Sequence, residues 1–470
     1  MDNLLAKMVA SPPTTYPPKV VLKGKRLIFN FDNREELKEN TTYSINFGDG
    51  IKDLTEGNAA KNLRFVMSTG NELDSAKVSG RVNKVFEKEP AKECLIMLYQ
   101  SDNDSVVIKR KPDYFAKTTE TGSYDIENIR PGAYKMFALK DENLNYLYDL
   151  DVELIGFLDS LLVIGKNEIK LVSPIDISRE MKPPRLMEKK SDRVGMVLCG
   201  FSGNPNLVSM KIIPENEHII PEIDKDTLKL WYNKDVTNDW QVQFDNGSRK
   251  DTVFVKPATA RADKQRNSLI PLNKRIFFNR RLQPGKPIDF DFTNPIAKID
   301  TSRMFLHLDS VKISPSALIK KDKPRQLLLD SDWKEGGIYT MIFQKGSITD
   351  IFGNTNDSLQ VQWKVLSVKE LGNISIHLNN LKPEQQYIVQ LLNANGEVLE
   401  KFIVDKQDKW ETQILNQYPG QYEVLIIDDI NRNKQWDPVN LGEHKQAEPI
   451  FRKKPEPLRA NWELDVNISL

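Results

Sequence analysis

Two stretches of the 470-residue chain carry oxygen-bearing side chains at one shared spacing. In DENLNYLYD they are Asp141, Asn143, Asn145 and Asp149; in DINRNKQWD, 288 positions later, they are Asp429, Asn431, Asn433 and Asp437. Numbered as a calcium-binding loop they fall at positions 1, 3, 5 and 9. Ca²⁺ is a hard cation that takes about 6–8 oxygen ligands, and a sharply bent backbone can point such a set inward. The same residues have a second reading. Position 6 is Tyr146 or Lys434 where such a loop uses glycine, and position 12 is Val152 or Asn440 where it uses a bidentate glutamate. Glu153 and Glu443 lie nearby but out of register. Asp and Asn also make plain turns, because their side chains bond the neighbouring backbone and tolerate left-handed conformations. The residue types leave both readings standing, with Ca²⁺ as a cofactor in one and no cofactor in the other.

Aromatic residues end both loops. Tyr146 with Tyr148, and Trp436, could stack on a sugar beside the acidic groups or pack at a sandwich edge. LWYNKDVTNDWQVQF poses the same choice for Trp231, Tyr232 and Trp240. Trp231 interrupts the alternation of Leu228, Leu230 and Tyr232, so an exposed ring is expected there, and with it a ligand or protein contact. Support for enzymatic chemistry is thin. His218, His307, His377 and His444 are dispersed without metal-ligand spacing, GFSG at 200–203 is one residue short of a nucleophile elbow, and no phosphate-binding glycine loop occurs.

The elements that must position these residues are strands. RLIFNF, YSINF, LRFVM, KLWYNK, WQVQF, DTVFV, YTMIF, LQVQWKV and YEVLII alternate with a period near two and are bounded by Gly, Pro, Asn and Asp. Asn246-Gly247 between alternating segments marks a hairpin. An all-β chain of sandwich modules is the expectation.

The modules recur. YSINFGDGIKDLTEGNAAKNLRFVMSTG overlays YTMIFQKGSITDIFGNTNDSLQVQWKVLS, so Tyr43, Ile45 and Phe47 meet Tyr339, Met341 and Phe343. Gly57-Asn58 meets Gly353-Asn354, Phe65 and Met67 meet Val361 and Trp363, and Ser11-Pro12 meets Ser314-Pro315. Further on, Gly80-Arg81-Val82 is laid over Gly372-Asn373-Ile374, and PGAYKMFALKDENLNYLYD over PGQYEVLIIDDINRNKQWD. The chain reads as an A unit (1–72), a B unit (73–175), a linker with a middle unit (176–287), a second A unit (288–367) and a second B unit (368–470). The linker ISREMKPPRLMEKKSDR, with Pro183-Pro184, predicts a semi-stiff spacer that holds the halves apart.

Composition sets bounds. Lys and Arg number 67 against 66 Asp and Glu, so no broad field of one sign attracts nucleic acid or anionic lipid. The basic clusters at 320–325 and 261–266 read as solvated loops. Cys94 and Cys199 sit in apolar settings in different units and read as buried thiols. The longest apolar run, at 154–165, is too short to span a membrane and contains Asp159.

Unit A, through Tyr43, Ile45, Phe47, Ile51, Asp53, Gly57, Asn58 and Phe65, resembles the SbsA-type bacterial Ig-like domain of S-layer and envelope proteins. Unit B, through VSGRV and TTETGSYDIENIRPGAYKMFAL, resembles the transthyretin-like fold of carboxypeptidase regulatory domains; in the second copy TGSYDIENI has become DKWETQILN. The order of units is similar to that of Ig-like domain-containing envelope lipoproteins of Bacteroidetes-type bacteria. That resemblance implies a cell-envelope location, an envelope protein or glycan as partner, and a lipid anchor. The second A unit opens with IDFDFTNPIAKIDTSRMFLHLDS, which the first largely lacks, so an opening strand and a lipoprotein signal are expected upstream of Met1. The reading is a non-enzymatic structural or interaction protein. The alternatives are a carbohydrate- or ligand-binding surface protein using Trp231, Tyr232, Trp240 and Trp436, and an auxiliary module of a hydrolase.

Overall fold

The computed structural model describes residues 8–24, 26–47, 50–51, 63–85, 89–150, 152–193, 195–216, 218–233, 235–257, 280–313, 316–319 and 323–470. Strands account for nearly all of its regular structure, arranged as tandem β-sandwich modules.

The two A units share a register. In the first, Thr42–Asn46 lies between Val9–Ser11 and Arg64–Ser68, with Tyr43 opposite Met67 and Ile45 opposite Phe65. In the second, Ile338–Phe343 lies between Met304–Leu308 and Leu359–Val365, with Tyr339 opposite Trp363 and Met341 opposite Val361. Each tyrosine is buried, and its hydroxyl accepts the amide five residues earlier, from Lys38 at 2.9 Å and from Lys334 at 2.7 Å. Asp53, Gly57, Asn58 and Ser314-Pro315 fall outside the described residues.

The seven strands of the second B unit each have a counterpart in the first, whose sheet adds Leu162–Ile164 and Ile175–Arg179. Ala76–Lys84 pairs antiparallel with Ser123–Ile129 and parallel with Ile169–Leu171; Gly372–Asn379 pairs antiparallel with Trp410–Gln417 and parallel with Glu463–Ser469. Asn128 and Asn416 hold the same left-handed kink, at φ 61° and 58°. In each Pro-Gly-x-Tyr strand the tyrosine hydroxyl donates to the carbonyl four residues back, Tyr134 to Arg130 and Tyr422 to Tyr418. One detail of the overlay is corrected. Ala76 faces Ile129 as Gly372 faces Gln417, so Gly372 corresponds to Ala76 and not to Gly80. A bulge beginning at Ala76 and another at Gly372 set this register.

The middle unit packs Leu186–Arg193, Met196–Phe201, Thr227–Tyr232 and Ile219–Asp224 against Ser209–Ile213, Trp240–Asp245 and Lys250–Val255. The last two strands form the hairpin marked by Asn246-Gly247, where Gly247 takes φ +84°. The supposed spacer is mostly strand. Ile175–Arg179 belongs to the first B sheet, Leu186–Arg193 to the middle unit, and the Pro184 carbonyl accepts the Asn246 side-chain amide at 3.0 Å.

Nor are the halves held apart. Contacts join the middle unit to the second A unit, the second A unit to the second B unit, and the second B unit to the first. Arg325 joins the middle unit at Glu222; Gln283 and Tyr418 join the second A and B units. Val439 and Leu441 of the second B unit are buried in an apolar cluster with Leu95, Met97, Phe137 and Phe157 of the first. Strand Leu95–Tyr99 is buried at every position. Its sheet therefore has two apolar faces, and the second needs a cover from elsewhere in the chain.

Candidate functional site

Both acidic loops begin where a central strand of the B sheet ends, Gly132–Lys140 in one copy and Tyr422–Asp429 in the other. The first aspartate is buried and caps the turn. Asp141 accepts the amides of Leu144 at 2.7 Å and Tyr146 at 2.9 Å; Asp429 accepts those of Asn433 at 3.0 Å and Lys434 at 2.9 Å. Tyr146 and Lys434, where glycine was expected, both take φ 66°. That conformation costs a non-glycine residue roughly 1–2 kcal/mol, and the two buried aspartates hold it in place.

The asparagines close the turn. Asn143 and Asn145 donate their side-chain amides to Asp149 at 3.0 and 2.7 Å, and Asn431 and Asn433 donate theirs to Asp437 at 2.6 and 2.7 Å. Their carbonyl oxygens accept backbone amides two residues on, at Asn145, Leu147, Asn433 and Gln435. All eight predicted residues thus come together as two copies of one hydrogen-bonded turn. The oxygens suit a hard cation by type, but both asparagine side chains turn N–H donors toward the second aspartate. A cation there would have to replace those donors and also free the asparagine oxygens. Among the described residues no group of three or more His, Cys, Asp and Glu side chains is placed to hold a metal ion.

A buried glutamate completes each loop. Glu153 accepts the amides of Glu142 and Asp149 at 3.2 and 3.1 Å. In the second copy the equivalent amides, of Ile430 and Asp437, donate to Glu448 at 2.7 and 3.0 Å. The partner of Glu153 is therefore Glu448, and Glu443 instead pairs with Lys445 at 2.6 Å. Burial pushes the Glu448 carboxyl above the usual range, while its two amide donors hold it down.

Between Asp437 and Glu448 the second loop carries extra chain, and this segment forms a clasp. The Val439 amide donates to Ser178 at 3.0 Å and the Leu441 amide to Glu180 at 2.8 Å. The Gln446 side chain reaches the Phe157 carbonyl at 3.1 Å. His444 stacks on Phe157 at 4.7 Å, with Nδ1 3.0 Å from Asp104 and Nε2 3.1 Å from the Asp159 carbonyl. Burying Val439 and Leu441 stabilises the closed arrangement by about 1.5–3 kcal/mol each. Tandem duplication hinted at none of this, since the contacts join residues some 260 positions apart.

The expected exposure of Trp231 is corrected. Its ring is 3% exposed, and its indole N–H donates to Glu222 at 2.8 Å. Glu222 in turn accepts the Nε and Nη2 N–H groups of Arg325 at 2.7–2.9 Å. Trp231 faces the second A unit while Leu230 and Tyr232 face the middle core, so both faces of this strand are covered. Arg325 is accordingly no solvated loop residue; the rest of its basic cluster is exposed Lys323 and residues 320–322, which fall outside the described residues, as do 261–266. Tyr232 and Trp240 pack edge to face at 5.8 Å in the middle core. Trp436 is half-buried, with its N–H on the Glu448 carbonyl at 3.0 Å. Tyr148 is buried and its hydroxyl donates to Glu180. Burial pushes both free thiols, Cys94 and Cys199, up to about 11.

Residues 2–69 match the bacterial Ig-like domain family. The match covers the first A unit and leaves the rest of the chain unassigned. No curated protein matches the chain. Among solved structures, the major pilin subunit of Bacillus cereus is similar at 11% identity and a TM-score of 0.15, covering 84% of this chain and 99% of that one. SGBP-B of the Bacteroides ovatus mixed-linkage glucan utilization locus, in complex with a mixed-linkage heptasaccharide, is similar at 10% identity and a TM-score of 0.18, covering 74% and 89%. The Bacillus anthracis TIE protein is similar at 11% and 0.16, covering 98% and 68%. At these scores no site is carried across. Among the described residues no helix is long and apolar enough to cross a membrane.

Proposed function

We propose that the chain is a non-enzymatic structural and interaction protein of the bacterial cell envelope, in which two Ig-like and transthyretin-like pairs and a middle sandwich are locked into one closed body. The observation that carries this reading is the clasp. The segment that most distinguishes the second acidic loop from the first is spent on fixing the position of one B unit on the other, through Val439, Leu441 and His444. The envelope location rests on the bacterial Ig-like match at 2–69 and on the resemblance of the unit order to envelope lipoproteins, and a lipid anchor belongs to the same resemblance. The acidic loops serve as turns that shape the clasp, because Asp141, Asp149, Asp429 and Asp437 already accept N–H donors; Ca²⁺ is the second reading of their oxygen set.

Fractionation of the source bacterium tests the location. The protein is expected with the envelope, as one protease-resistant body; recovery from the cytosol would overturn the proposal. A partner of envelope-protein or glycan type would meet surfaces that the closed body holds at fixed spacing.

A further inference from the structure

The two B units share an edge strand and treat its free side differently. Ile169–Leu171 runs parallel to Ala76–Lys84, and Glu463–Ser469 runs parallel to Gly372–Asn379. Each lies at the rim of its sheet and, among the described residues, pairs with no second strand. With Gly372 in the place of Ala76, Ile169 and Leu171, opposite Lys77 and Ser79, correspond to Glu463 and Asp465, opposite Asn373 and Ser375.

An unpaired edge is a template for another strand, and charged side chains along it are a common protection. The second B unit carries them, with Glu463 and Asp465 exposed. The first carries aliphatic side chains at the same places, Ile169 78% and Leu171 82% exposed. Its backbone is open as well. The Glu168 carbonyl accepts the Lys77 amide at 2.8 Å and the Val172 amide donates to the Ser79 carbonyl at 2.9 Å. Alternate residues therefore face the sheet, and the N–H and C=O groups of Ile169 and Leu171 turn outward. Among the described residues nothing bonds these outward groups.

We infer that two molecules of this chain pair through this edge, strand antiparallel to strand, about a two-fold axis at Lys170. Ile169 of one molecule then faces Leu171 of the other, so every outward N–H and C=O finds a partner and apolar meets apolar on the exposed face. Pairing with the acidic edge of the other B unit would instead set Glu463 and Asp465 against aliphatic side chains, which disfavours a head-to-tail chain of molecules. The two Lys170 side chains meet on the opposite face, where each is held by the Val163 carbonyl of its own chain at 2.7 Å and by Glu168 at 3.7 Å. The inference goes beyond the closed-body reading and does not depend on it.

Sedimentation equilibrium on the full chain is the test. A short edge makes a small interface, of the transient class below about 1,200 Å², so monomer and dimer should exchange with concentration, with dimer dominant by about 1 mM. Ile169→Glu with Leu171→Asp, which installs the acidic pair of the second B unit at two exposed positions, should weaken the dimer roughly tenfold or more. Leu171→Pro keeps the surface apolar and removes one outward N–H, a change that an edge strand tolerates, and should weaken the dimer similarly. Phe254→Glu, at an apolar residue of the middle unit that is 67% exposed, should leave it unchanged. Circular dichroism should be the same in all three variants. A wild-type monomer up to about 1 mM, a dimer that survives either edge variant, or equal loss in Phe254→Glu would overturn the inference. None of these outcomes touches the closed body, which scattering from the monomer tests separately.

Discussion

Glu153 and Glu448 do the same work at different distances from their loops. Each buried carboxylate accepts the amide that follows the first loop aspartate and the amide of the last one, but Glu153 lies 4 residues beyond Asp149 while Glu448 lies 11 beyond Asp437. The additional chain in the second copy holds Val439, Leu441 and His444, the residues that seat on the first B unit. A duplicated turn has been opened at one point and the inserted segment used as a fastener, with the original glutamate still closing the turn beneath it.

Removing that glutamate should loosen the clasp from below. Glu448→Ala leaves two part-buried amides, of Ile430 and Asp437, without their acceptor, at about 1–3 kcal/mol each as an upper range, and urea unfolding should show the second B unit weakened by an amount within this range. The pH dependence follows from the direction of its shift. Burial raises the Glu448 carboxyl above the ordinary glutamate value of 4.5, so the folded state holds the proton more tightly than the unfolded chain. Its contribution is fully present below 4.5 and is lost as pH rises through the raised value. The stability difference between wild type and Glu448→Gln should shift in that direction across the same window.

The joint between the middle and second A units depends on Arg325. Arg325→Ala strands Glu222, 8% exposed, with the Trp231 indole as its one partner among the described residues, and breaking a buried pair from one side costs about 3–5 kcal/mol. Arg325→Lys should recover only part, since an ammonium cannot make the two-pronged contact. Glu222→Gln with Arg325→Met should be milder than either single loss. Calorimetric melting would show whether these two units still unfold together.

Calcium distinguishes the two readings of the acidic loops. With Asp149 and Asp437 already receiving asparagine amides, titration of millimolar Ca²⁺ should give no saturable heat. Saturable binding that disappears in Asp141→Ala with Asp429→Ala would return both loops to the class of metal sites.

The tyrosines at 43 and 339 show what can be read in the sequence. Both sit in period-two runs, and the overlay that aligned them also aligned their cross-strand partners, because strand register follows from alternation of buried side chains. The overlay of Gly80 with Gly372 went astray for a related reason. It matched two glycines, whereas the bulges at Ala76 and Gly372 decide the register there. Glu448 was hidden because an insertion moved it past Glu443. Trp231 was hidden because alternation within one strand says nothing about a second module covering the outer face. Tertiary docking joins residues far apart in sequence, and neither the clasp nor the Arg325 joint leaves a periodic signal.

Solution scattering on the intact chain, compared with Val439→Asp and Leu441→Asp, tests the closed body most directly. The wild type should scatter as a compact particle, and each variant, having forced a charge into the apolar seat formed by Leu95, Met97, Phe137 and Phe157, should show a larger radius while its separate units stay folded by circular dichroism. A wild-type chain as extended as the variants would contradict the account, leaving two independent halves joined at the middle unit.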